Sequence, residues 1–129
     1  MNKVETCITF SDVISVKKSV TTAVDQTLTC TINGLTANGA AATVEWKDPN
    51  GKKVTDDMDY DINNGRPDSS GTQSAELTIK AAKLDQDFAS ETSFTYTCSV
   101  KSGLYTNSPS SPQFEIVAEV LKLGNVMYY

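Results

Sequence analysis

The sequence has no histidine and only three cysteines, Cys7, Cys30 and Cys98, none of them in a C-x-x-C pair. Zinc sites, His-based catalytic triads and Cys-His nucleophiles are therefore excluded within this chain. These absences remove much of ordinary enzyme chemistry. We expect a protein that is not an enzyme, with no catalytic residue, no metal and no cofactor.

Basic residues are also few. Eleven Lys and Arg residues against sixteen Asp and Glu residues give a net charge of -5 and a pI near 4.6. The basic residues are scattered along the chain, whereas phosphate binding needs a basic patch. We therefore expect no nucleic-acid partner, and the same charge balance disfavours binding to anionic membrane surfaces.

Long hydrophobic runs are missing as well. No window approaches the roughly 18 uninterrupted apolar residues of a membrane span, and residues 1–10 lack the apolar run of a signal peptide. We expect the chain as given to be soluble, with any targeting segment or membrane anchor outside it. A length of 129 residues fits one domain.

Helical periodicity is nearly absent, and the dominant pattern is an alternation of apolar and polar residues in short runs. Such alternation is typical of half-buried antiparallel strands. A weaker region before Val24 is expected to hold one or two more strands, with a break near Lys17 and Lys18. The clear runs are 27–32, 43–48, 57–63 (with Met58, Tyr60 and Ile62 inward), 74–80, 93–100 and 113–120.

Turn residues separate these runs. Asn-Gly pairs begin at Asn33, Asn38, Asn50 and Asn64, and the Pro-Asn-Gly sequence at 49–51 is the clearest hairpin signal. One helical turn is predicted over residues 81–89. Seven or eight strands of this kind are expected to form two antiparallel sheets packed face to face.

The cysteines select among such folds. Cys30 lies on an inward face, Trp46 follows on the next strand, and Tyr96 stands two residues before Cys98. With the segments LTC, VEW, ELTI (which contains Leu77) and YTC, the chain resembles the immunoglobulin superfamily over residues 9–121. The resemblance implies an all-β fold, a two-sheet antiparallel immunoglobulin-like sandwich of seven to eight strands.

This resemblance also implies specific core contacts. Cys30 and Cys98 would form a disulfide, Trp46 and Leu77 would be buried against it, and Tyr96 would make a corner hydrogen bond to the nearby backbone. In family letters the strands are A near 13–24, B at 27, C at 43, a short C′ at 52, D at 57, E at 74, F at 93 and G at 113. The type is constant-like or intermediate, with residues 1–8 as an N-terminal lead and 122–129 as a tail or linker.

The same resemblance implies a function. We expect an extracellular domain of a cell-surface immune-type or adhesion receptor that binds a protein partner or another copy of itself. The alternative is a structural spacer in a multidomain receptor whose binding is done by a neighbouring domain. A disulfide persists in oxidising compartments, so the localisation would be extracellular, in a secreted protein or the ectodomain of a membrane protein.

Two loops are the candidate binding sites, because the B–C and F–G loops of such a sandwich emerge at the same end. Leu104 and Tyr105 are apolar residues at the predicted F–G tip, and such residues often anchor interfaces. A sheet face formed by strands C, F and G is the other option. The candidate partner-binding residues in the loops are Asn33, Asn38, Lys101, Leu104, Tyr105 and Asn107.

Cys7 is left over if Cys30 and Cys98 pair. An odd cysteine in a secreted protein is either an unpaired thiol, here packed against an edge strand, or a partner in an intermolecular or interdomain bridge. Asp57, Asp59 and Asp61 have the D-x-D-x-D spacing of a calcium loop, but Ile62 stands where that loop needs glycine. We interpret the three carboxylates as a solvated acidic face of strand D rather than as a calcium or catalytic site.

Overall fold

A computed structural model of the chain describes residues 7–11, 15–21, 23–101, 105, 107, 109–118, 122–123 and 126–127. Strands dominate, with one short helix. In chain order the elements are β1 (Thr9–Phe10), β2 (Ser15–Val20), β3 (Gln26–Asn33), β4 (Val44–Lys47), β5 (Tyr60–Asn63), β6 (Gln73–Ile79), α1 (Ala81–Asp87), β7 (Ser93–Val100), β8 (Gln113–Ala118), β9 (Lys122–Leu123) and β10 (Val126–Met127).

Eight of these strands form two four-stranded sheets, in the orders β1-β3-β6-β5 and β2-β8-β7-β4, while β9 and β10 pair with each other. The predicted two-sheet sandwich of seven to eight strands is confirmed. One pairing departs from the antiparallel expectation, because β2 runs parallel to β8, with Ser15 beside Gln113 and Val20 beside Ala118.

The region before Val24, which was expected to hold one or two strands, contributes one strand to each sheet; β2 lies in the range predicted as strand A, and β1 precedes it. β1 pairs with β3 in one sheet, and β2 pairs with β8 in the other. The expected break near Lys17 and Lys18 is wrong, since both residues lie inside β2 and the chain changes sheets between Phe10 and Ser15. β1 and β2 are therefore each an edge strand of a different sheet.

The core lies between the sheets and follows the predicted alternation. Each fully buried large aliphatic or aromatic side chain contributes roughly 1.5–3 kcal/mol relative to its exposed state. One sheet supplies Leu28, Cys30, Ile32, Ala75, Leu77 and Ile79, and the other supplies Val44, Trp46, Tyr96, Cys98, Phe114 and Ile116.

Strand D is shorter than the alternation predicted. β5 begins only at Tyr60, and Met58, expected to face inward, is 87% exposed. The Asp57 carboxylate accepts hydrogen bonds from the backbone N–H groups of Asp59 (2.8 Å) and Tyr60 (3.2 Å), and Asp57 N donates to Tyr60 O. These local bonds compete with strand pairing and turn the chain.

The predicted strand C′ is reduced to one bridge between Lys47 and Lys53. The turn that leads into it is held by Asp48, whose Oδ1 accepts from Asn50 N and Lys52 N at 2.9 Å each. Gly51, at φ +80°, adopts the left-handed conformation that the turn requires. The hairpin predicted at 49–51 is confirmed.

The predicted helical turn is confirmed as α1, which buries Leu84 in the core. Its first backbone N–H groups are not capped by Lys80, the residue before it. Instead, Asp25 from the β2–β3 turn accepts a hydrogen bond from Ala81 N at 2.8 Å. The cap therefore comes from a residue 56 positions earlier in the chain.

Candidate functional site

The two core cysteines are joined, so neither is available for chemistry. Cys30 on β3 and Cys98 on β7 form a disulfide with a Cα–Cα distance of 6.5 Å. It closes a loop of 68 residues, which in the chain-entropy model contributes about 4 kcal/mol to stability. Trp46 lies directly across from Cys98 on β4 and packs against Phe114, with 5.6 Å between ring centroids.

Tyr96 has a different partner from the one that the resemblance implied. Its hydroxyl is 2.9 Å from the hydroxyl of Tyr60 on β5, and both rings are buried in an edge-to-face contact. The expected corner bond to the nearby backbone is therefore replaced by a bond between the two sheets. Burial raises the pKa of Tyr96, and the hydrogen bond between its hydroxyl and that of Tyr60 raises it further.

The B–C loop is bound to the turn between β5 and β6. Leu35 N donates to Gly71 O at 3.0 Å, and Asn38 N donates to Asp68 O at 2.9 Å. The Asn33 side chain also has internal partners, because its amide N–H donates to Ser11 and its oxygen accepts from the Thr72 hydroxyl. Of the two B–C candidates, only Asn38 leaves its side chain exposed.

A buried glutamine, absent from the sequence analysis, completes this attachment. The Gln73 side chain is 0% exposed, and its oxygen accepts from Ala42 N at 2.8 Å. Its nitrogen donates to Ala42 O at 3.2 Å and to Asn64 O at 2.7 Å. Position 73 is in phase with the inward residues Ala75 and Leu77. A polar residue at this inward position was the feature of the sequence that could have predicted a buried hydrogen-bonding side chain.

The F–G loop is attached to the N-terminal lead. Asn107 accepts a hydrogen bond from Ile8 N at 2.9 Å and donates to Ile8 O at 2.7 Å. Tyr105 is partly buried against the core, and this burial raises the pKa of its hydroxyl. Asn107 and Tyr105 therefore contribute to internal packing, whereas we expected them to face a partner. Lys101 is exposed, and Leu104 lies outside the described residues.

Ile8, the last residue of the predicted N-terminal lead, is part of the packed body. Ile8 is 1% exposed and belongs to the core, so the compact unit includes at least one residue before position 9. Cys7 is a free, exposed thiol. The backbone of Cys7 lies against Gly34, where any Cβ atom would collide with the Cys7 carbonyl oxygen.

The three aspartates do not lie along one strand face. Asp57 and Asp59 precede β5, with Asp57 accepting backbone bonds in the turn, while Asp61 on β5 pairs with Lys80 at 2.6 Å. Within the described part of the chain, no group of three His, Cys, Asp or Glu residues has the geometry to hold a metal ion. The carboxylates instead support the turn and the neighbouring lysine.

The outer face of the sheet β2-β8-β7-β4 contains the strands C, F and G that were expected to offer a binding face. Its central strand, β7, alternates inward Tyr96 and Cys98 with outward short hydroxyl side chains. On the neighbouring strands, outward residues lie opposite them in register, and several are charged. The outward set is Ser93, Thr95, Thr97 and Ser99 on β7, Glu45 and Lys47 on β4, and Gln113, Glu115 and Val117 on β8.

An open groove of about 400 Å³ lies at one end of this face. Glu45 and Ser99 face each other across β4 and β7, and the Ser99 hydroxyl donates to Glu45 O at 3.3 Å. The groove carries two positive charges and one negative charge. Its lining residues are Thr43, Val44, Glu45, Lys53, Ser99, Val100 and Lys101.

Solved structures with this architecture exist despite low sequence identity. The BTLA ectodomain is 15% identical, covers 87% of this chain and 96% of its own, and has a TM-score of 0.54. Rst D1-D2 is 10% identical and covers 89% of this chain and half of its own, at a TM-score of 0.51. The structure of Dpr2 Ig1-Ig2 in complex with DIP-Theta Ig1-Ig3 is 11% identical and has a TM-score of 0.50. The match covers 90% of this chain and 32% of the matched chain.

Sequence comparison adds no relative: neither a protein-family model nor a curated protein matches the chain. Among the described residues, no helix is long and apolar enough to cross a membrane. The assignment therefore rests on the two sheets, the buried disulfide with Trp46 across from it, and the three similar structures. Together they show that this chain is an immunoglobulin-like domain.

Proposed function

We propose that this protein is an extracellular immunoglobulin-like domain of a cell-surface immune-type or adhesion receptor, which acts by binding a protein rather than by catalysis. The disulfide supports the compartment, because such bonds persist where the environment is oxidising. The similar structures include an ectodomain and a complex between two immunoglobulin-domain proteins. These features agree with a recognition module.

The observation that carries the proposal is the outer face of the sheet β2-β8-β7-β4. Its central strand presents half-buried short Ser and Thr side chains, while charged residues lie beside them on β4 and β8. Charged residues are depleted at the centre of protein interfaces and belong at the polar rim. Short side chains also lose little conformational entropy when a partner covers them.

The loops at the end of the sandwich are less suited to binding a partner than the sheet face. The side chains of Asn33 and Asn107 are occupied by internal hydrogen bonds, and Tyr105 is partly buried. A partner that used them would have to break those bonds first, each at a cost of roughly 1 kcal/mol. We therefore propose that the sheet face, extended by the groove at Lys53 and Lys101, is the binding surface.

The proposal is tested with Thr97→Arg, which puts a long charged side chain at the centre of the face. Thr29→Arg is the matched control, since Thr29 is an exposed threonine of β3 in the opposite sheet. The multimerised domain is scored for binding to a panel of cells before and after surface proteolysis. Self-association is followed by analytical ultracentrifugation up to roughly 100 μM, a range that detects pairing with a Kd near that value.

We expect Thr97→Arg to abolish protease-sensitive cell binding or self-association, and Thr29→Arg to leave it intact. Equal loss in both variants would exclude this face as the binding surface. The alternative function is a structural spacer in a longer receptor, which the partial coverage of the Dpr2 and Rst chains favours. A spacer predicts neither self-association nor cell binding by the wild-type domain.

A further inference from the structure

The chain contains four Asn-Gly pairs, at Asn33, Asn38, Asn50 and Asn64. Their hydrogen bonds and packing differ in the folded structure. We propose that Asn50 is a site of spontaneous covalent modification, where the side-chain amide is lost and aspartate and isoaspartate form. Asn33 and Asn64 are protected from the same reaction by their contacts. This inference is independent of any binding partner.

The reaction needs only water. The backbone nitrogen of Gly51 attacks Cγ of Asn50, the Cγ–Nδ2 bond breaks, and ammonia leaves with the proton given up by the Gly51 nitrogen. The product is a five-membered succinimide. Water then opens one of its two carbonyl–nitrogen bonds, which gives aspartate or, with the backbone rerouted through Cγ, isoaspartate. Glycine favours the attack because it has no Cβ to crowd its nitrogen.

Asn33 is held against this reaction at both ends of its side chain. Its amide nitrogen donates to Ser11, and its oxygen accepts from the Thr72 hydroxyl at 3.0 Å. Asn33 also ends β3, where it pairs with Thr9, and the following glycine is packed against the backbone of Cys7. Several contacts must therefore break together before Cγ can approach the Gly34 nitrogen.

Asn64 is held in a similar way. Its side-chain nitrogen donates to Val44 O at 3.4 Å, its side-chain oxygen is buried, and its backbone oxygen accepts from Gln73 at 2.7 Å. The attacking nitrogen of Gly65 is itself engaged, since it donates to the Asn63 side chain at 3.2 Å. Both the electrophile and the nucleophile are therefore restrained.

Asn50 has none of these restraints on its side chain. It is exposed, and within the described part of the chain its amide has no hydrogen-bond partner. A Cβ atom built on Gly51 meets no atom within 4 Å, so a succinimide ring has space to form. One hydrogen bond, from Gly51 N to Asp48 O at 2.9 Å, opposes the attack.

Asn38 is intermediate. Its side chain is exposed, and the Gly39 nitrogen donates to Thr36 O at 2.9 Å, as the Gly51 nitrogen does to Asp48 O. The difference is the space around the glycine, because a Cβ atom built on Gly39 would lie within 3.0 Å of Thr36. The expected order of reactivity is therefore Asn50 first, Asn38 second, and Asn33 and Asn64 last. A sequence-based argument alone would treat all four pairs as equivalent.

Modification at position 50 has a structural consequence at the edge of β4. The new carboxylate lies in the turn already occupied by the Asp48 carboxylate, and isoaspartate adds a methylene group to the backbone there. That turn positions the Lys47–Lys53 bridge and the bond from Val54 N to Trp46 O at 2.8 Å. Lys53 lines the groove, so its position changes when the turn is altered.

The test is a time course of the folded protein at mildly alkaline pH, because base removes the proton from the glycine nitrogen that attacks Cγ. Peptide mapping by mass spectrometry follows the amide-to-acid change at each of the four asparagines, and enzymatic methylation of isoaspartate confirms the product. A second time course uses reduced protein in denaturant. Asn50→Gln is the matched variant, since it keeps an amide but needs a larger ring.

In the folded protein we expect modification at Asn50 to exceed that at Asn33 and Asn64 by roughly tenfold or more, because their contacts must open first. In denaturant the four rates converge. Asn50→Gln removes the dominant acidic variant and leaves the rate at Asn38 unchanged. Equal rates at Asn50 and Asn33 in the folded state, or an unreactive Asn50, would overturn the proposal.

Discussion

The side-chain amide of Asn107 bonds to both the backbone N–H and the backbone C=O of Ile8, at 2.9 Å and 2.7 Å, across 99 residues of sequence. A carboxamide carries both N–H donors and a carbonyl acceptor, so it can bond to a backbone N–H and a backbone C=O of one residue, as a neighbouring strand does. Asn107 therefore extends the hydrogen bonding of the sandwich to the residue just before β1. The buried Ile8 side chain is held in the core by this contact.

We expect Asn107→Ala to lower the free energy of unfolding by about 1–3 kcal/mol, because both backbone groups of Ile8 lose a partner. Chemical denaturation measures this loss, and hydrogen exchange at Ile8 N should accelerate. Asn107→Asp is the informative comparison, since a carboxylate can still accept from Ile8 N but faces Ile8 O without a donor. Unchanged exchange at Ile8 in Asn107→Ala would contradict the role.

Gln73 makes three hydrogen bonds while fully buried, to Ala42 N, Ala42 O and Asn64 O. We expect Gln73→Ala to cost about 2–4 kcal/mol, since it leaves a cavity and buried backbone groups without partners. Urea denaturation measures the loss. The neighbouring Ser74 is exposed, so Ser74→Ala is the control and should change stability by less than about 0.5 kcal/mol. Similar losses in both variants would show that the Gln73 bonds carry little energy.

Asp25 accepts a hydrogen bond from the first residue of α1 and lies 3.8 Å from the Lys80 ammonium group. We expect Asp25→Ala to destabilise the domain by about 1 kcal/mol through loss of the cap. Asp25→Asn keeps an oxygen acceptor and removes only the charge of a half-exposed pair, so its cost should be a few tenths of a kcal/mol. Thermal unfolding of both variants separates the two contributions. Equal destabilisation would assign the effect to charge rather than to capping.

The Tyr60–Tyr96 pair predicts a loss of stability at alkaline pH. Burial raises the pKa of both hydroxyls above their usual value near 10. Because the folded state retains protons that the unfolded state releases, this contribution is fully present below about pH 10 and is lost as the pH rises further. The Lys80 pKa, raised by its hydrogen bond with Asp61, adds a dependence of the same sign.

Urea unfolding between about pH 9 and pH 11 should therefore show a falling free energy of unfolding, with phenolate absorbance from the pair increasing on unfolding. Tyr96→Phe isolates their share, because it removes one of the two groups and leaves Lys80 in place. An identical pH slope in Tyr96→Phe would show that the tyrosine pair does not cause the loss.

The sequence determined the fold class and the position of the core. Alternation in six runs fixed which residues face inward, since the side chains of a strand point to opposite faces with a period of two. Cys30, Trp46, Leu77 and Cys98 are buried as their spacing and resemblance implied. The one error in an inward position, Met58, arose where the Asp57 carboxylate bonds to the backbone and turns the chain.

Tertiary structure decided which side chains remain available to a partner. Asn33, Tyr105 and Asn107 are residue types that often bind partners from loops. In the structure, Asn33 bonds to Thr72, Tyr105 packs against the core and Asn107 bonds to Ile8. No local pattern encodes such contacts, because each joins segments that are distant in sequence. Long-range contacts also distinguish the four identical Asn-Gly pairs. The dipeptide sets their intrinsic reactivity, and the packing around each pair decides whether its side chain can move.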